Sequence, residues 1–91
     1  MAILQVSSAP SRDLYEAIDR AVGLAGDPPA GMLFHAAAAQ PDGTVVIVDL
    51  WESPDAMDAF ERDRLVPAFA TFDRPMVDPP TRLDAFAVVR A

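Results

Sequence analysis

Residues 42–60 read DGTVVIVDLWESPDAMDAF, and the way this stretch divides decides the fold. Thr44 to Trp51 is a run dominated by β-branched and large apolar side chains, the composition of a strand buried on at least one face. Ser53 and Pro54 end it. A serine hydroxyl accepts a hydrogen bond from an orphan N–H at a helix start, and proline fits the first helical position because no donor is needed there. Asp55 and Asp58 then stand near the positive end of the helix dipole. The stretch reads as strand, turn, helix, with Ala56, Met57 and Phe60 inward and Asp58 and Arg62 paired outward.

Before it, Met32 to Gln40 is apolar apart from His35 and stops at Pro41, Asp42 and Gly43, a turn cluster that makes an antiparallel hairpin with the central strand. Ala36 to Ala39 would also suit a helix; the shortness of the segment between Gly31 and Pro41 favours a strand. With the loop at 41–43, Gln40 faces Thr44. Counting back sets Ala37 opposite Ile47, His35 opposite Asp49 and Leu33 opposite Trp51.

Ala2 to Ser7 reads as a first strand. A helix follows from Ser11, with Leu14, Ile18, Ala21 and Val22 at helical spacing, a Glu16–Arg20 pair on the outer side and Gly23 as its stop. Residues 24–31 are a loop. Beyond the second helix, Pro67 would clash with the carbonyl of Asp63, so the helix should break before it. A short turn carrying Phe69 and Phe72, a proline-rich connection from Asp73 to Arg82 and a last strand from Leu83 to Arg90 complete the chain.

The order β-α-β-β-α-β implies an α+β, ferredoxin-like domain over residues 1–91, a four-stranded antiparallel sheet with both helices on one face. Alternation puts Phe34, Ala36, Ala38, Val46, Val48 and Leu50 on one side of the sheet. Leu33, His35, Ala37, Ala39, Val45, Ile47, Asp49 and Trp51 fall on the other. Both sides are largely apolar, and two helices cover only one. A second copy is the economical cover for the rest, giving a homodimer whose sheets face each other around a cavity, helices outside and His35 on the cavity side.

The charge balance narrows the partners. Seven arginines and no lysine stand against 14 acidic residues, a net charge of −7 that repels phosphate backbones and anionic membranes. The absence of cysteine excludes disulfides and thiolate catalysis. No basic segment precedes the first apolar stretch, and no run approaches the ~20 apolar residues of a membrane span. The expectation is a cytoplasmic protein that binds neither nucleic acid nor membrane.

Gly31 and His35 in the second strand, VVIVDLWESP at 45–54, Phe60 in the next helix and RLVPA at 64–68 together resemble the dimeric α+β barrel superfamily, in particular small antibiotic biosynthesis monooxygenase-like proteins. The resemblance spans most of the chain and implies a homodimer. Activities in that group run from cofactor-free oxygenation and haem degradation to isomerisation, and some members have none known, so it implies a fold more than a reaction. Its oxygenases and haem-degrading enzymes commonly place an asparagine near the reacting atom; this chain contains no asparagine.

The catalytic candidates are His35 and Asp49. His35 is the one histidine, the side chain that titrates nearest neutrality, and a carboxylate across the strand pair would orient its ring and raise its pKa. The same two residues would equally serve as a mutually satisfied buried pair, or His35 as a plug in the dimer interface. Leu33, Ile47 and Trp51 are the candidate lining for a small apolar or aromatic ligand, with Trp51 stacking on it or else packed in the core. Ser53 completes a serine, histidine, aspartate set by residue type, but it is better explained as a helix cap and lacks a G-x-S-x-G elbow. One histidine with scattered carboxylates has no ligand spacing, so no metal is expected, and the resemblance to cofactor-free oxygenases implies no cofactor. Two functions stay open. One is a cofactor-independent monooxygenase-like or proton-transfer enzyme acting on a small aromatic or polyketide-like molecule. The other is a non-catalytic ligand-binding or dimerisation module whose pocket its own side chains fill.

Overall fold

A computed structural model describes residues 1–70 and 80–90. Phe72 and most of the expected proline-rich connection lie outside them. The elements are β1 (Ile3–Ala9), α1 (Arg12–Val22), β2 (Met32–Ala39), β3 (Val45–Trp51), α2 (Pro54–Phe60), α3 (Val66–Phe69) and β4 (Thr81–Asp84). The four strands form one antiparallel sheet in the order β2-β3-β1-β4, the ferredoxin-like arrangement.

The hairpin follows its pattern. Ala37 pairs with Ile47 and His35 with Asp49, and Gln40 N–H donates to the Thr44 carbonyl at 2.8 Å. The register departs at one place: a bulge between Met32 and Phe34 sets Met32, not Leu33, opposite Trp51. Leu33 is the extra residue, and from there the two faces of the strand exchange. Met32 thereby packs against the core beside Trp51.

Both helix starts use their serine. Leu14 N–H donates to Ser11 Oγ and Ala56 N–H to Ser53 Oγ, each at 3.1 Å. Gly23, at φ 74°, closes α1 in the left-handed conformation with its N–H on the Asp19 carbonyl. Glu16 pairs with Arg12, one turn back, rather than with Arg20. Asp58 is engaged by Arg82 and Arg62 by Asp63, so the expected Asp58–Arg62 pair does not form.

Pro67 does not end the second helix. The chain widens into a π-turn at Glu61–Leu65, with Val66 N–H reaching back to the Glu61 carbonyl, and resumes as α3. The wider turn places Pro67 at the start of a new helical segment, where its missing donor costs nothing. The last strand is Thr81–Asp84 instead of Leu83–Arg90. Its final bond to the β1 side runs from Ala85 N–H to the Ala2 carbonyl, and Phe86 and Val89 beyond it are exposed.

The core is built from Ile3, Val22, Trp51, Met57, Phe60 and Ala68, with the Trp51 and Phe60 rings 5.2 Å apart. Full burial of side chains the size of Met57 contributes roughly 1.5–3 kcal/mol each. Register ties two neighbouring rungs across all four strands. His35, Asp49, Gln5 and Arg82 form one, and Phe34, Leu50, Leu4 and Leu83 the next. Side chains alternate between sheet faces, so the polar rung looks towards the helices and the apolar rung away from them. This corrects the expected placement of His35, because the helices cover its face. The uncovered face is the one with Phe34 and Leu83, both about half exposed. Among the described residues no helix is long and apolar enough to cross a membrane.

Candidate functional site

His35 is held from both ends of its ring. Nδ1 lies 2.5 Å from Asp49 Oδ1, the strand neighbour that the register assigns. Nε2 lies 2.6 Å from the hydroxyl of Tyr15 on α1, with the two rings only 10° from parallel. Asp49 is buried and accepts, so Nδ1 carries a hydrogen and the neutral ring presents Nε2 as an acceptor for the tyrosine O–H. The result is a proton chain from Tyr15 through His35 to Asp49.

Hydrogen bonding and burial, with nearby charges, set the order in which the chain titrates. The hydrogen bond to Asp49 raises the His35 pKa above 6.5 against the opposing effect of burial, with the Asp49 and Asp19 charges adding to the rise. Burial, then the charges of Asp19 and Asp49, raises the Tyr15 pKa above 10. Tyr15 therefore keeps its proton, and His35 changes state first. When His35 is neutral, the Tyr15 hydrogen points at Nε2 and the phenol oxygen has lone pairs to spare. When His35 is charged, Nε2–H donates to Tyr15, and the phenol hydrogen is released to another acceptor.

That acceptor has a place to bind. Tyr15, His35 and Asp49 border a cavity of about 150 Å³ between the sheet and the helices. Leu14, Ile18 and Val22 of α1, Ile47 of β3, and Phe60 and Leu65 form its apolar wall, and Gln5, Ser7, Asp19 and Glu61 add polar groups. A mostly apolar hollow with a few convergent polar groups is the usual form of a small-molecule site, and a cavity of this volume accommodates a single aromatic ring.

The structure brings His35, Asp49 and Ile47 together at this cavity, but not Leu33 or Trp51. The bulge turns Leu33 out of register. Trp51 is 1% exposed against Phe60, and its Nε1 has no hydrogen-bond partner among the described residues. Tyr15 escaped the sequence reading. It stands at i, i+3 and i+7 with Ile18 and Val22, so extending the apolar stripe of α1 by one residue would have placed it on the sheet side. Among the described residues, no three histidine or acidic side chains converge as a metal-ligand set.

Known structures share this arrangement of elements. A candidate antibiotic biosynthesis monooxygenase from Chloroflexus aurantiacus J-10-fl superposes with a TM-score of 0.72 at 17% identity, over 99% of this chain and 98% of that one. A second candidate from Deinococcus radiodurans gives 0.69 at 16%, over 100% and 98%. The heme-degrading protein Rv3592 from Mycobacterium tuberculosis gives 0.56 at 12%, over 99% and 100%. This chain shares the ferredoxin-like fold of these proteins. At these identities the likeness extends to fold alone, and no family model or curated protein matches the sequence.

Proposed function

We propose that the chain is a proton-transfer catalyst acting on a small, uncharged, ring-sized molecule bound between sheet and helices. The Tyr15–His35–Asp49 chain bordering the cavity carries this reading. In the forward step the phenol oxygen of Tyr15 takes a proton from a carbon or hydroxyl of the ligand while its own hydrogen passes to His35 Nε2. The bonding pair stays on the ligand as an enolate or phenolate, and Asp49 stabilises the imidazolium. Such an anion is also where cofactor-free oxygenation begins, with dioxygen as the oxidant. The likeness to candidate monooxygenases supports looking for that second stage.

A homodimer belongs to the same proposal. The Phe34–Leu50–Leu4–Leu83 rung lies on the face opposite the helices, and a second copy would cover it while leaving the cavity on the far side of the sheet.

Hydrogen–deuterium exchange tests the activity without a known substrate. Single-ring ketones and phenols in deuterated buffer should lose C–H signals faster with the protein than without, followed by proton NMR, while an oxygen electrode reads any coupled uptake. Compounds that bind at the cavity yet exchange at the buffer rate would sink the catalytic reading.

A further inference from the structure

We propose that Gln5 orients the ligand by donating an amide hydrogen to its oxygen, and that Arg82 is the positioning residue that fixes the amide. The inference rests on the cavity described under the proposed function. Gln5 borders that cavity, is buried, and stands directly beside Asp49 in the polar rung. Its Oε1 lies 3.3 Å from Arg82 Nε. A guanidinium only donates, so the oxygen of the amide must face Arg82 and the NH₂ must face away.

Arg82 is itself clamped. Its Nη1 is 2.8 Å from Asp58 Oδ1 and its Nη2 2.8 Å from Glu61 Oε2, tying β4 to α2 and the π-turn. Among the described residues, the Gln5 side chain makes no hydrogen bond besides that to Arg82, and its Nε2 is not among the sealed, partnerless atoms. The amide donor is thus open rather than sealed, and the open space that Gln5 borders is the cavity, so a ligand there meets an unengaged N–H.

The sign of the surroundings specifies that partner. Asp19, Asp49 and Glu61 border the same space, which disfavours carboxylates and phosphates, whereas an uncharged carbonyl oxygen accepts from Nε2 without repulsion. The ligand class is therefore an enolisable, uncharged, single-ring ketone. Loss of its α-proton to Tyr15 moves the bonding pair onto the oxygen that Gln5 holds, a step that needs no oxidant.

The test uses acetophenone and ethylbenzene, similar in shape, one with the oxygen and one without, titrated into ¹⁵N-labelled full-length protein. Acetophenone should shift the Gln5 side-chain NH₂ signals, identified by their loss in Gln5→Leu, and ethylbenzene should move only backbone signals around the cavity. The preference for acetophenone should fall about 3- to 10-fold in Gln5→Leu, the scale of one neutral hydrogen bond. Arg82→Gln should lose most of that preference while keeping its ethylbenzene affinity, which a merely structural arginine would not do. Both probes binding while the wild-type Gln5 signals stay still overturns the assignment of Gln5 alone, and that readout needs no variant to fold. Neither probe moving any cavity signal overturns the cavity reading, and Gln5 with it.

Discussion

The Tyr15 hydroxyl stands 2.6 Å from Nε2 of His35, so a helix and a strand position twenty residues apart share one hydrogen. If this contact carries the proton, Tyr15→Phe should reduce ligand-proton exchange by about 10²- to 10⁴-fold, the usual contribution of a positioned acid or base. Stability should fall only by about 1 kcal/mol. Exchange rates read by NMR and urea midpoints separate the two effects. A variant that loses stability but exchanges like wild type would make the tyrosine structural.

The His35–Asp49 bond makes stability depend on pH with a definite sign. Folding raises the His35 pKa above its ordinary 6.5, so the folded state holds the proton more tightly than the unfolded chain. The stabilisation is fully present below 6.5 and is lost as pH rises from there through the folded-state value. Urea unfolding at a series of pH values should show stability declining across that window, and Asp49→Asn should flatten the decline. Stability that rose with pH there would contradict the bond.

The Trp51 indole is sealed in the core rather than exposed to the cavity. Because it is the only tryptophan, its fluorescence reports on that core alone. Emission should be blue-shifted and resist quenching by acrylamide. Red-shifted emission that acrylamide quenches readily would put the indole back at a solvent-accessible site.

The polar pair was legible in the sequence because a hairpin register depends on loop length and alternation, both visible at Gln40 to Thr44. The same count failed at Leu33. A bulge shifts one residue without leaving a mark in the hydrophobic pattern, and only Gly31 hints at an irregular backbone there. Which face the helices take was not legible, since both faces are apolar. Trp51, Met57 and Phe60 settle the matter by packing together, a relationship between elements that periodicity within one element does not encode. Tyr15 and Gln5 were missed for a related reason: each acquires its role only from a partner on another element.

Gly31 is the glycine whose neighbourhood matters most. At φ 84° an added Cβ would also stand 2.5 Å from the Cβ of Ala56 and 3.3 Å from Cγ of Glu52. Gly23 shares the positive φ but faces open space. Gly31→Ala should therefore cost about 2–4 kcal/mol, backbone strain plus overpacking, against about 1–2 kcal/mol for Gly23→Ala. Chemical denaturation measures both. Equal losses would mean that α2 gives way at no cost.

The uncovered rung supplies the test of assembly. Phe34 is 53% exposed and Leu83 52%, beside Leu50 and Leu4 on adjacent strands, an apolar band that crosses the whole sheet. Water contact along such a band is unfavourable by about 25 cal/mol per Å² of apolar area, and a second copy removes it from both chains at once. Analytical ultracentrifugation should give a mass twice 9.8 kDa for the wild type. Phe34→Glu places a charge in that band, at its β2 end, and should return the mass to 9.8 kDa with an unchanged circular dichroism spectrum. The cavity lies on the other side of the sheet, so the Phe34→Glu monomer should still bind acetophenone. Loss of binding together with the dimer would show that the partner completes the site, and a wild type that sediments as a monomer at every concentration would remove the dimer from the proposal.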